Sequence, residues 1–184
     1  MHKLTDKELL SLIQQGSHLA FAELVERHSE SYYRLAFRFT NDNQQAEDIV
    51  QDAFIKLWER PKLWNENKQT QFTTWFYQVI INRCLDLKRK KPHFQIESIN
   101  EINLPANHSS HEEQLVHLEM QVQLETLINE LPSRQRVALN LCFFEDMSNQ
   151  EAADIMNLSL KALQSLIMRG KNNIKNRLNS NISN

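Results

Sequence analysis

Ala46-Glu47-Asp48-Ile49-Val50-Gln51-Asp52-Ala53-Phe54-Ile55-Lys56-Leu57-Trp58 decides the fold class. Its apolar residues Ala46, Ile49, Val50, Ala53, Phe54, Leu57 and Trp58 recur at the i, i+3, i+4 spacing of a helix that buries one face. Glu47, Asp48, Gln51, Asp52 and Lys56 are left on the other side. A helix held by so much apolar and aromatic bulk is rigid, and its acidic front is a fixed surface for a basic partner. Periodicity alone describes the solvated side of an ordinary core helix equally well.

Working outward, the same period extends over most of the chain. Thr5 and Glu8 form a capping-box pattern before Leu9, Leu10, Leu12 and Ile13, and Gly16 stops that helix. A second helix is expected from His18 to Phe39, followed by a turn at Asn41-Asp42-Asn43. The quoted helix extends to Glu59 and stops before Pro61. A polar connection, Arg60 to Gln71, contains Leu63 and Trp64. It leads into a helix from Phe72 to Lys91 with Phe72, Trp75, Phe76, Val79, Ile80, Cys84 and Leu87 on its buried stripe. Gln78, Asn82, Asp86 and Arg89 share another face of that helix, which ends in the basic run Lys88 to Lys91. Aromatic residues concentrate between Phe21 and Tyr77. Trp64 and the edge of Trp75 are candidate platforms for unpaired bases, with simple core packing as the alternative.

With 184 residues, 41% hydrophobic, only 2 Gly and 4 Pro, and no competing strand pattern, the chain reads as all-α. A formal net charge of −2 conceals segregated signs. Gln95 to Glu130 holds seven acidic residues and no Lys or Arg, whereas Arg83 to Lys91 and Ser148 to Asn184 each carry five basic residues. After Pro92 the helical period is lost, and the acidic stretch that follows reads as a linker. About 25 extended residues reach roughly 80 Å, so the two halves are free to sit far apart.

Helical periodicity resumes at Glu112 and continues through Leu131; Pro132 then opens a helix from Ser133 to Phe144. Ser148 and Glu151 form another capping box, Asn157 suits a left-handed C-terminal position, and Ser159 caps the last helix. A short helix, a tight turn and a basic helix make a helix-turn-helix. Lys161, Gln164, Ser165, Met168 and Arg169 lie at the outer N-terminal surface of its second helix, the end that enters a major groove. Lys171, Lys175 and Arg177 face phosphates or solvent. Leu163, Leu166, Ile167, Ile174 and Leu178 face inward, and Gly170 permits close helix approach.

The sequence resembles the sigma-70 family of bacterial RNA polymerase sigma factors, in its compact extracytoplasmic-function (ECF) group. The resemblance is carried in order by Phe21 to Val25, Ala46 to Phe54, Phe72 to Tyr77, Ile81-Asn82-Arg83, Leu131-Pro132, Arg136 and the helix-turn-helix from Ser148. It implies a sigma2 domain over residues 1–92, a linker over 93–111 and a sigma4 domain over 112–184. It assigns Asp48, Gln51 and Asp52 to the beta-prime clamp helices of core RNA polymerase. Trp64, Trp75, Gln78, Asn82, Arg83, Lys88 and Arg89 fall to minus-10 DNA, with Asn82 near a captured base. Minus-35 DNA falls to Lys161, Gln164, Ser165, Met168, Arg169 and Lys171. Gln164-Ser165-Leu166 departs from the common pattern of a basic pair around the serine, so part of the usual phosphate grip is missing. Further implied partners are the polymerase beta flap, an anti-sigma factor and, for the linker, the RNA-exit path.

No phosphate loop, nucleophile with a base or metal-ligand spacing points to an enzyme or a cofactor. His108, His111 and His117 form only a loose cluster. Cys84 and Cys142 lie in separate helical patterns and read as free thiols. Without an apolar leader or a run of about eighteen apolar residues, the expectation is a cytoplasmic protein that does not insert in a membrane. Two rival readings remain: an autonomous helix-turn-helix regulator of duplex DNA, and a helical protein-binding adaptor.

Overall fold

The computed structural model describes residues 4–64, 71–90, 120 and 122–182, and every regular element among them is helical. Helices α1 (Asp6–Gln14), α2 (His18–Thr40), α3 (Asn43–Glu59) and α4 (Phe72–Lys90) form the N-terminal half, with a 3-10 turn at Pro61–Leu63. Residues 122–129 form α5, followed by α6 (Ser133–Phe143), α7 (Asn149–Ile155) and α8 (Leu160–Ile182). The linker over 93–111, the start of the second domain and the three histidines lie outside the described residues.

Local chemistry sets the helix ends. Thr5 accepts from the Glu8 amide while Glu8 reaches back to the Thr5 backbone, and Ser148 and Glu151 repeat that arrangement before α7. Ser17 and Asp42 cap α2 and α3. Asn41 and Asn157 take left-handed conformations with φ of 52°, which close α2 and turn the chain from α7 into α8.

The N-terminal core is largely aromatic. Tyr32 on α2 and Phe54 on α3 each bring their ring centroid 4.7 Å from that of Phe76 on α4, and the Tyr77 ring meets Tyr32 edge-on at 4.9 Å. Leu9, Leu10 and Ile13 seal α1 against this core. In the C-terminal half, Leu127, Ile128, Leu131, Leu139 and Ile174 bury one another. A Cβ at Gly170 would lie 2.9 Å from Leu139 Cδ1, so the glycine is what lets α8 approach α6 this closely.

The linker's reach would allow the two halves to sit far apart, and in this structure they are in contact. Val137, Ala138, Leu141, Ala152, Ala153, Ile155 and Leu163 join one continuous core with α2, α3 and α4. Long tethers permit separation, but apolar area removed from water on α6 and α7 favours contact by about 25 cal/mol per Å².

Candidate functional site

Three surfaces follow from this packing. On α3, the buried row Ala46, Ile49, Val50, Ala53, Phe54 and Leu57 leaves Asp48, Gln51 and Asp52 exposed on the opposite side. Ile55, 51% exposed, shares that side because it lies three residues beyond Asp52 and seven beyond Asp48. Ile55 is not among the residues singled out from the sequence, although its position off the core stripe is the available signal. Arg83 Nη2 on α4 stands 3.6 Å from Asp52 Oδ2 and links this acidic row to the next surface.

On α4, Asn82 is exposed and Arg83 half-buried, while Trp75 is half-buried against Phe72 and Phe76. The Gln78 amide donates to the Asp154 carbonyl of α7 at 3.2 Å, so part of this face is already covered by the C-terminal half. Lys88 and Arg89 fall on the last turns of α4, with their side chains outside the described residues. Trp64 differs from its expected role as an open platform for bases. It is 8% exposed and meets the Phe72 ring nearly perpendicularly at 6.1 Å, because the aromatic core recruits it where a polar loop would have left it in water.

On α8, Lys161, Gln164, Met168, Arg169 and Lys171 are exposed and form one end of the helix-turn-helix. Ser165 is half-buried and its hydroxyl donates to the Lys161 carbonyl at 3.0 Å; Arg169 Nε donates to the Ser165 carbonyl at 3.2 Å. Leu166 is half-buried and turned to the core. Phe143, half exposed and not singled out from the sequence, carries the Lys171 ammonium 4.7 Å from its ring centroid. That cation–π contact holds the ammonium at the edge of the helix-turn-helix.

Between the second and third surfaces runs a charged seam. Arg136, 1% exposed, lies 4.4 Å over the Phe39 ring, and its Nε and Nη2 have no hydrogen-bond partner. Burial pulls this guanidinium down to about 10, only partly opposed by nearby Cys84, whose own thiol burial pushes up to about 12. Burial likewise raises the Glu145 carboxyl, against the opposing pull of Arg38 and Arg34. Tyr77 is pushed up to about 12, chiefly by burial and then by Glu145.

Both thiols are free, Cys84 buried and Cys142 partly so. Among the described residues no group of three His, Cys, Asp or Glu is placed to hold a metal, and no helix is long and apolar enough to cross a membrane.

An acid-faced helix, an aromatic helix and a helix-turn-helix on one helical chain are surfaces that suit the class of transcription initiation factors. The sigma-70 region 2 model matches residues 24–93 and the sigma-70 region 4 model matches residues 121–174. The chain belongs to the sigma-70 family, in its ECF group. It is 25% identical over 183 residues to the ECF RNA polymerase sigma factor SigW of Bacillus subtilis, covering 94% of this chain and 96% of that one. Identity to the RNA polymerase sigma-H factor of Pseudomonas aeruginosa is 28% over 175 residues, with 90% of each chain covered. Among solved structures, CnrH in complex with the cytosolic domain of CnrY shares the fold with a TM-score of 0.70 at 23% identity, over 95% of this chain and 97% of that one. RpoE of Bartonella quintana, in complex with the anti-sigma factor NepR, gives 0.62 at 21% identity, over 86% and 96%. An autonomous duplex-binding regulator would leave the region 2 match and the acidic row of α3 without a use.

Proposed function

We propose that Asp48, Gln51 and Asp52 dock this sigma factor on the basic clamp helices of core RNA polymerase. The observation that carries the assignment is the exposed acidic row on a helix whose opposite face is fully buried. Such a row is held in place by the core behind it, and its charges steer the encounter. Residues 1–92 form the polymerase and minus-10 domain, residues 93–111 the tether and residues 112–184 the minus-35 domain. Asn82 and Arg83, with Trp75, Gln78, Lys88 and Arg89, face the single non-template strand. Lys161, Gln164, Ser165, Met168, Arg169 and Lys171 face the minus-35 duplex. The Ser165 hydroxyl donates to the Lys161 carbonyl, which leaves its oxygen as an acceptor toward the duplex.

No chemistry is asked of this chain beyond binding. Promoter opening draws on free energy from captured bases, which offsets an unstacking cost of a few kcal/mol, and bond formation belongs to the polymerase. The protein acts in the cytoplasm, with an anti-sigma factor as a further partner. Replacing Asp48 and Asp52 by Lys reverses two exposed charges and leaves the core intact. The expected result is at least a tenfold loss of co-purification with core polymerase and an unchanged helical circular dichroism spectrum. Undiminished binding would remove the assignment.

A further inference from the structure

We propose that Phe143, at the C-terminal end of α6, is a positioning residue for minus-35 DNA: its ring seats the Lys171 ammonium for a backbone phosphate at the edge of the helix-turn-helix. This rests on the assignment of Lys171 to the minus-35 duplex.

Phe143 is 50% exposed, and the Lys171 ammonium lies 4.7 Å from its ring centroid. The packing beneath fixes both partners. A Cβ at Gly170 would lie 2.9 Å from Leu139 Cδ1, so α8 comes close to α6 at that level, and the Asn173 amide donates to Gln135 Oε1 at 2.9 Å one turn back along α6. Phe143 stands one turn beyond Leu139, and Lys171 is the neighbour of Gly170. The close approach of the two helices is what brings the ring within reach of the ammonium.

The ring leaves Lys171 able to bind a phosphate. A cation–π contact is an attraction to the face of the ring, whereas an ammonium carries three N–H donors, so those turned away from the ring can meet phosphate oxygens. A lysine stem is long and flexible, and ordering it on DNA binding costs affinity. Phe143 orders it beforehand. Local charge makes this ammonium count. Gln164, two turns before Lys171 on the same flank of α8, is neutral, and Leu166 is turned to the core. Neither neighbour of Ser165 therefore offers a positive charge, and Lys171 supplies one on the flank that Gln164 leaves neutral. Contacts of this kind add affinity without reading sequence.

The test uses core polymerase loaded with the full chain, on duplex promoter fragments selected from a random library by the parent holoenzyme. Phe143→Leu keeps an apolar side chain at a half-exposed site and removes the π face. It should weaken the promoter complex by about two- to fivefold, by the same factor on fragments substituted at each minus-35 base. Lys171→Ala should weaken it too and lower the slope of log affinity against log salt by about one. In the Lys171→Ala background, Phe143→Leu should add nothing. Phe143→Trp, with the better π face, should hold the parental affinity. Undiminished binding by Phe143→Leu overturns the proposal, as does a further loss in the Lys171→Ala background, which would give Phe143 a role in packing alone. An altered ranking of minus-35 bases would make Phe143 a base contact and overturn the positioning role. Should Lys171→Ala change neither affinity nor salt slope, the assignment of Lys171 to DNA fails and the proposal with it; a failure of Phe143→Leu alone leaves that assignment standing.

Discussion

Asn82 is exposed on α4 beside Arg83, whose guanidinium reaches toward Asp52. Its amide carries both donors and an acceptor and can read a base edge presented outside the stack. Replacing Asn82 by Ala removes those groups at an exposed site without disturbing the core. Discrimination at one minus-10 position should fall by about 1–3 kcal/mol, about 5- to 150-fold in abortive initiation from promoters substituted at that position. Affinity for core polymerase should stay within a factor of two. An unchanged base preference would return Asn82 to the status of a solvated helical residue. Arg83 is a harder residue to interpret by substitution, because its tie to Asp52 couples the strand-facing helix to the polymerase-facing one. That ion pair is long and half exposed, so its own contribution is at most about 1 kcal/mol.

At the scale of elements, α7 depends most on its cap. It spans only Asn149–Ile155, too short to be stable alone, and its start is fixed by the Ser148 hydroxyl accepting from the Glu151 amide. Glu151 Oε2 in return accepts from the Ser148 amide at 2.9 Å and from its hydroxyl at 2.7 Å, which holds the carboxyl below its ordinary value. A carboxylate depressed in the folded state contributes stability above its unfolded value, lost as pH falls through the folded one. Ser148→Ala should cost about 1 kcal/mol in urea unfolding at neutral pH and move the Glu151 titration, followed by NMR, back toward an ordinary glutamate. This cap was legible in the sequence, as were the Thr5 box, the Asn157 turn and nearly all the helix ends, because each depends on residues within four positions. The acidic row of α3 was legible for the same reason, since helical periodicity alone separates Asp48 and Asp52 from Ile49 and Phe54. Trp64 was not, because a polar neighbourhood in sequence says nothing of the Phe72 ring that shelters it. Nor was the seam: Arg38 and Glu145 are 107 residues apart, Gln78 and Asp154 76 apart, and no periodic signal links such pairs.

For the whole molecule, the question is what a buried guanidinium does at the junction of two halves. Arg136 gains a ring contact with Phe39, worth up to about 2 kcal/mol when desolvated. It also has a long hydrogen bond to the Asn129 carbonyl at 3.5 Å. Against these stands the removal of a full charge from water with two of its nitrogens unpaired, a penalty of several kcal/mol. Its lowering to about 10 has the sign of a net penalty. A base depressed in the folded state destabilises the fold at every pH below its folded value and is relieved only as pH rises through it. Over that alkaline window Cys84 and Tyr77, both pushed up to about 12, act in the opposite direction, since the unfolded chain ionises first. Neutral pH is therefore where the Arg136 contribution can be measured alone. Arg136→Met keeps the length and apolar body of the side chain and removes the charge, and should stabilise the packed chain by about 1–3 kcal/mol in urea unfolding. Arg136→Ala removes the charge but leaves a cavity against Phe39, and should destabilise by about 2 kcal/mol or more. A methionine variant less stable than the parent would mean that the ring contact and the Asn129 bond outweigh the desolvation of the guanidinium, so that Arg136 holds the two halves together instead of straining their junction.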